Sequence, residues 1–213
     1  MALTYYITAR RQLKPLAGSE GLEEALPEEA LQEKVRAAFA AGVDYVQVRE
    51  RDLSGRRLAR LVKGLRALPE KQSSWLLVNE RLDVALGCGA DGVHLPADSL
   101  GVEFVRSRAG EGRIVGISCH SEHDVAQAAD ESADYALLGP VFETPYKPGA
   151  APLGLPALEE ICRRFPIRIF ALGGVDRSNA ASCIRAGAAG VAGIRLFQDA
   201  ENVEELCCYL RAL

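Results

Sequence analysis

The stretch Gly42-Val43-Asp44-Tyr45-Val46-Gln47-Val48-Arg49-Glu50-Arg51 decides the fold. A glycine closes one helix-like segment, an apolar run follows, and polar side chains gather where that run ends. Strand alternation puts Gln47, Arg49 and with them Arg51 on one side, while Val46 and Val48 face the other. The pattern then repeats. Apolar or β-branched runs occur at Thr4 to Thr8, Val43 to Val48, Trp75 to Val78, Gly92 to Leu95, Ile114 to Ile117, Tyr135 to Leu138, Ile167 to Leu172 and Gly190 to Ile194, eight in all. Between them lie segments with apolar spacing of three and four, such as Leu31 to Ala41, Leu58 to Leu68, Asp124 to Ala129, Leu155 to Arg164 and Asn179 to Ala186. Strict alternation of strand and helix predicts parallel strands, and eight of them predict an α/β fold of the (β/α)8 TIM-barrel type. The phrases at Gly42 to Asp44, Gly89 to Gly92 and Gly187 to Gly190 read as glycine C-caps leading into tight αβ loops on the stability face.

A chain of 213 residues, 48% hydrophobic and 25% charged, suits one domain over residues 1–213 with one sizeable core. The net charge of −4 and the interleaving of basic with acidic residues argue against a nucleic-acid footprint and for a small-molecule substrate. The chain opens without a charged-then-apolar leader, and no apolar run reaches the roughly 20 residues that cross a bilayer, so a soluble cytoplasmic protein is expected. Six scattered cysteines with no CxxC pair do not form a disulfide framework. Cys88, Cys162, Cys183 and the Cys207-Cys208 pair read as helical filler, and Cys119, at a strand end between Ser118 and His120, reads as filler too.

In such a barrel the chemistry collects in the loops after the strands. Two guanidiniums aimed into one mouth repel, and a bound polyanion such as a phosphate or diphosphate explains the pairing of Arg49 with Arg51. The alternative is a surface pairing of these arginines with Glu50 or Asp52. In VNERLD, Val78 to Asp83, Asn79 ends a strand, and Glu80 either caps the next helix or joins Asp98 as one of two oxygen ligands for magnesium. Ser118 and His120 bring a hydroxyl and an imidazole to the end of the fifth strand. His94 reads as structural and His123 as solvated. Thr144 and Lys147 lie on a proline-braced loop, Phe142 to Pro152, suited to a lid that closes over phosphate. Gly173-Gly174 is expected to open a helix whose bare amides hold an anion. The polar segment Arg10 to Glu28 either folds over the mouth or wanders.

Taken in order, QVRER, VNERLDVAL, GADGVHL, GISCH, GPVFETPYK, ALGGV and GAAGVAGI resemble the thiamin phosphate synthase family and its sister branch, the thiazole tautomerases, over nearly the whole chain. In the synthases the resemblance implies that an aminopyrimidine methyl diphosphate loses pyrophosphate and that the nitrogen of a thiazole phosphate captures the resulting cation, with magnesium stabilising the leaving group. It makes Gln47, Arg49, Asn79, Ser118, Thr144, Lys147 and Gly174 substrate or phosphate contacts, and Arg51 replaces a lysine. The expected catalytic groups are Arg49, Lys147, Ser118 and His120; Gln47, Arg51, Asn79, Thr144, Gly173, Gly174 and Arg195 are the expected binding groups. Departures fall on the metal site: Glu80 stands for the first aspartate, the second falls on Ser99 beside Asp98, and Pro96 and Ala97 replace a glycine and a glutamine. Arg195 ends the last strand where a small hydroxyl residue is usual. VHLPADS and VRER look more like the tautomerase branch, in which a histidine at the His120 position shuttles a proton on a thiazole carboxylate phosphate without metal. The synthase reading is preferred because Arg49, Arg51 and Lys147 suit a diphosphate; a non-catalytic binder of a thiamin precursor is the third reading. Oligomeric state is left open.

Overall fold

The structure, a computed structural model, describes residues 1–13, 26–144, 149 and 151–213. Eight parallel strands close in chain order into a barrel: β1 (Leu3–Ile7), β2 (Tyr45–Val48), β3 (Trp75–Asn79), β4 (Gly92–Leu95), β5 (Ile114–Cys119), β6 (Tyr135–Leu138), β7 (Arg168–Ala171) and β8 (Gly190–Gly193). Around them lie α1 (Leu26–Ala40), α2 (Gly55–Arg66), α3 (Leu82–Cys88), α4 (Val102–Ala109), α5 (Glu122–Asp130), α6 (Gly154–Arg164), α7 (Ala180–Arg185), α8 (Arg195–Gln198) and α9 (Val203–Arg211). This is the (β/α)8 barrel that the alternation predicts. The proline-braced loop residues Pro145 to Pro148, with Lys147, and most of the segment from Arg10 to Glu28 lie outside the described residues.

Parity along each strand divides the core in two. Val46, Val48, Leu76 and Val78 face outward and pack with Leu58, Leu61 and Leu65 of α2. Inward, Tyr5, Tyr45, Tyr135 and Phe170 fill the lower barrel with ring centroids 5.3–5.7 Å apart. Such aromatic pairs add about 0.5–1.5 kcal/mol each beyond the area they bury. Room for the Tyr135 ring comes from Gly116, where a Cβ would run into it.

The face opposite the mouth carries a repeat deeper than the glycine phrases suggest. A left-handed residue precedes every second strand: Gly42 at φ 71°, Gly89 at 65°, Ser132 at 62° and Gly187 at 90°. Each is followed by an N–H that reaches back over the helix end, from Val43 to Ala38, Ala90 to Ala85, Ala133 to Ala128 and Ala188 to Cys183, the Schellman closure. The next residue is Asp44, Asp91 or Asp134, whose Oδ2 accepts the backbone N–H of Thr4 (2.9 Å), Leu76 (2.7 Å) or Val115 (2.7 Å) on the preceding strand. Lys71 and Arg106 ion-pair with Asp91 and Asp134 at 2.8 and 2.6 Å. In the fourth repeat the aspartate position is Ala189, so β7 and β8 lack this fastening.

Candidate active site at the mouth of the barrel

Gln47 is buried at the end of β2, and Arg49, half-buried, follows it. Their acidic neighbours turn away. Glu50 accepts from the Thr8 hydroxyl (2.6 Å) and pairs with Arg10 (3.0 Å), while Asp52 takes both terminal nitrogens of Arg10 at 2.6 and 2.5 Å and also pairs with Arg11 at 2.8 Å. These bonds hold the Asp52 carboxyl down at about 2. The surface pairing of Arg49 and Arg51 with Glu50 or Asp52 is therefore not what forms. Among the described residues the Arg49 guanidinium makes no hydrogen bond or ion pair, and burial together with the charge of Arg51 pushes its pKa down. Glu50 acts on Arg49 through its charge alone, and less strongly than Arg51 does, so the two guanidiniums stand in mutual repulsion. Arg10, which releases that pair, escaped the sequence reading because it sits at the start of a polar segment with no period of its own.

Inside the mouth the polar side chains form one connected series. Gln47 Nε2 donates to Asn79 Oδ1 at 2.8 Å, and the Tyr5 hydroxyl donates to Gln47 Oε1 at 3.1 Å. The hydroxyls of Tyr5 and Tyr135 are 2.7 Å apart; Tyr135 then meets His94 Nδ1 at 2.9 Å, and His94 Nε2 meets Ser118 Oγ at 2.9 Å. Burial, aided by the charge of Arg49, holds the His94 pKa down at about 3, so the ring is neutral. His94 is structural, as expected, but it touches an expected catalytic group. Tyr5 and Tyr135 were missed; the available signal was a phenol at an inward position of an apolar strand, where it must find a partner or be left unsatisfied.

Of the two carboxylates, Glu80 directly follows β3 and Asp98 lies in the loop after β4. Glu80 leaves β3 with φ 63°, inside a tight turn in which the Arg81 N–H bonds the Asn79 carbonyl at 2.7 Å. Positive φ in a non-glycine residue is strained backbone. The Glu80 N–H bonds the His94 carbonyl at 2.8 Å, which ties this turn to β4. Among the described residues no side-chain hydrogen bond caps α3, whose N-cap is Arg81, so the capping alternative for Glu80 is not what forms. Asp98 is exposed in the loop after β4, and the Ser99 hydroxyl bonds the Leu100 carbonyl at 3.1 Å. Among the described residues no group of three or more His, Cys, Asp or Glu side chains converges as a metal cluster would.

On the far side, His120 Nδ1 donates to the Gly139 carbonyl at 2.5 Å and its backbone N–H bonds Asp124 at 2.7 Å, so the imidazole stands exposed beyond β5. Cys119 beside it is buried filler, its thiol pushed up to about 12 by burial. Thr144, partly exposed, lies in the loop after β6, whose base is tied to the β7 loop through Val141 N–H to Leu172 and Phe142 N–H to Gly173. Gly173 and Gly174 do not open a helix: α7 begins at Ala180, because a turn held by Asp176 and Asn179 intervenes. The glycines serve close approach instead. Their φ values are 90° and 67°, and a Cβ on Gly174 would lie 2.5 Å from the Glu143 carbonyl oxygen. The helix N-terminus at this corner belongs to α8, four residues long and directly after β8. Arg195 opens it and pairs with Asp199 at 2.8 Å. The amides of Phe197 and Gln198 bond the Ile194 carbonyl at 3.2 and 2.9 Å, and the start of α8 and the Gly173-Gly174 turn follow the neighbouring strands β8 and β7.

A family model described as thiamine monophosphate synthase matches residues 22–197. The chain belongs to this family. Relatives named thiamine-phosphate synthase include one from Roseiflexus sp. (strain RS-1), 37% identical with 99% of this chain and 84% of the relative covered. Another, from Chloroflexus aurantiacus, is 39% identical over 84% of this chain and 83% of its own length. Among solved structures, the thiamine phosphate pyrophosphorylase of Pyrococcus furiosus superposes with a TM-score of 0.81 at 31% identity, covering 99% of this chain and 94% of that one. Of the two branches that the sequence resembles, these relatives carry the synthase name.

Proposed function

We propose that this thiamine monophosphate synthase family member joins an aminopyrimidine methyl diphosphate to a thiazole phosphate, releasing pyrophosphate and thiamin phosphate. What supports this reading is a mouth that offers two places suited to an anion. One is the Arg49–Arg51 pair after β2, freed because Arg10 occupies Glu50 and Asp52. The other is the glycine corner between the β7 loop and α8. A diphosphate at the first and a monophosphate at the second bring two substrates face to face.

In the reaction the C–O bond to the diphosphate breaks with its electron pair leaving on oxygen, and the ring nitrogen of the thiazole donates its lone pair to the methylene carbon. Arg49 and Arg51 meet the negative charge that grows on the departing oxygens, an electrostatic effect worth on the order of 3 kcal/mol per contact in a water-poor site. Ser118, Gln47 and Asn79 orient the pyrimidine, and Lys147 and Thr144 are assigned to the diphosphate side. Arg195 contributes its backbone amide, because its guanidinium pairs with Asp199. Glu80, after β3, and Asp98, in the loop after β4, are the exposed carboxylates that would hold a magnesium ion if one accompanies the diphosphate, an oxygen-donor set of the kind magnesium takes. When bound, it would neutralise charge on the leaving group. Partners other than small phosphorylated substrates are not required by this chemistry.

The test is product formation from the two purified precursors, with and without chelator. Thiamin phosphate and pyrophosphate in equal amounts support the synthase. Binding of thiazole phosphate without turnover would overturn it in favour of a binder.

A further inference from the structure

Ser118 at the mouth and Asn79 across from it are the two ends of one chain of hydrogen bonds through Gln47, Tyr5, Tyr135 and His94. All four internal members are buried. A phenol has one proton and a neutral imidazole has one, so each link constrains the next. Gln47 gives an N–H to Asn79 and turns its carbonyl oxygen to Tyr5, which spends its only proton there. Tyr5 must then accept from Tyr135, and Tyr135, its proton spent in turn, must accept from His94 Nδ1–H. The neutral ring leaves Nε2 as an acceptor, and the Ser118 hydroxyl donates to it.

We propose that His94, with Tyr135 behind it, is a positioning residue that points the Ser118 hydroxyl proton into the barrel, so that Ser118 meets the ligand only as an acceptor. An N–H donor on the ligand is what such a site selects. Resting on the synthase reading, that donor is the exocyclic amine of the aminopyrimidine; a pyrimidine bearing a carbonyl at the same place would face lone pair against lone pair. The polarity is shared along the series. Reversing it at Ser118 requires the amide of Gln47 to rotate, both phenol protons to move and the His94 tautomer to switch together, so the donor face of Asn79 and the acceptor face of Ser118 are set as a pair. Gly116 belongs to the same device, since its missing side chain admits the Tyr135 ring, which stacks on His94 at a 16° interplanar angle.

The polarity can be read in the wild-type protein with no substrate present. Nitrogen chemical shifts of the histidines, assigned with His120→Gln and His123→Gln proteins, are expected to show His94 as the Nδ1–H tautomer; an Nε2–H ring would overturn the proposal whether or not the protein is a synthase. Provided that wild type turns over, a double-mutant cycle then tests the route. Tyr135→Phe cuts the chain out of reach of substrate and is expected to lower kcat roughly tenfold, the worth of one oriented hydrogen bond, with little change in KM for thiazole phosphate. In a Ser118→Ala background the same substitution should change kcat no further. An equal loss in both backgrounds would show that Tyr135 supports only the fold. Should Tyr135→Phe fail to fold, His94→Asn, which keeps a donor near Nδ1 but cannot reach Ser118, replaces it in the cycle with the same expectations.

Discussion

Arg49 is more costly to the folded chain than a neutral residue would be, and that cost is informative. A half-buried guanidinium beside Arg51, with no ion pair among the described residues and only the weaker pull of the Glu50 charge in its favour, is held in place by the fold rather than holding it. Arg49→Leu is therefore expected to raise Tm slightly while cutting turnover on the order of a hundredfold; a variant both less stable and inactive would mean that the side chain is structural. His94 has a different signature. Its folded pKa of about 3 lies below the ~6.5 of an unfolded histidine, so the unfolded chain takes up the proton first as pH falls. Its neutral burial is fully favourable above about pH 6.5 and is lost progressively toward pH 3, roughly 2 kcal/mol by pH 5. Thermal melts of wild type and His94→Gln between about pH 7 and pH 5 should show the wild type losing Tm more steeply; parallel curves would contradict a neutral buried ring.

At the scale of elements, the sequence was read well where one local rule decides and poorly where the decision is made across the barrel. Strand limits and most helices follow from alternation and from the glycine caps, because parity and left-handed φ are properties of neighbours in the chain. The helix start at Gly173-Gly174 was misread: a left-handed pair can lead a helix or yield to a close-packed strand, and here the carbonyl of Glu143 lies where a Cβ would be. Ser132 went unnoticed as a cap because it is not glycine, although it holds the same left-handed position in the repeat. Ser132→Gly should accordingly stabilise the protein by up to ~1 kcal/mol, since the strain of an L-residue there is removed. Gly174→Ala should do the opposite, costing about 1–3 kcal/mol in backbone strain and weakening binding of inorganic phosphate. Equilibrium denaturation resolves both. Of the hydrogen-bonded series from Asn79 to Ser118, the two ends, Gln47 and His94 were legible one by one, whereas Tyr5, Tyr135 and the links themselves were not, because the members are joined by closure of the barrel and share no stretch of sequence.

For the whole molecule, the two ends of the barrel divide labour. Asp134→Ala at the base removes a part-buried hydrogen bond and an ion pair, and should lower stability by about 1 kcal/mol with kcat unchanged. A large loss of kcat would mean that the base communicates with the mouth. The same aspartate clasp joins β1 to β2, β3 to β4 and β5 to β6, but Ala189 leaves β7 and β8 without one. Those two strands also meet in register only at Phe170 with Gly190 and Ala171 with Val191. The loosest seam of the barrel thus runs up to the corner between the Gly173-Gly174 loop and α8. A phosphate gripped by amides from both sides of that seam would act as its missing rivet, so the cargo completes the wall of its own container. Amide hydrogen exchange along β8 should therefore slow more than exchange along β3 when inorganic phosphate is added, and uniform slowing would leave the seam no looser than its neighbours.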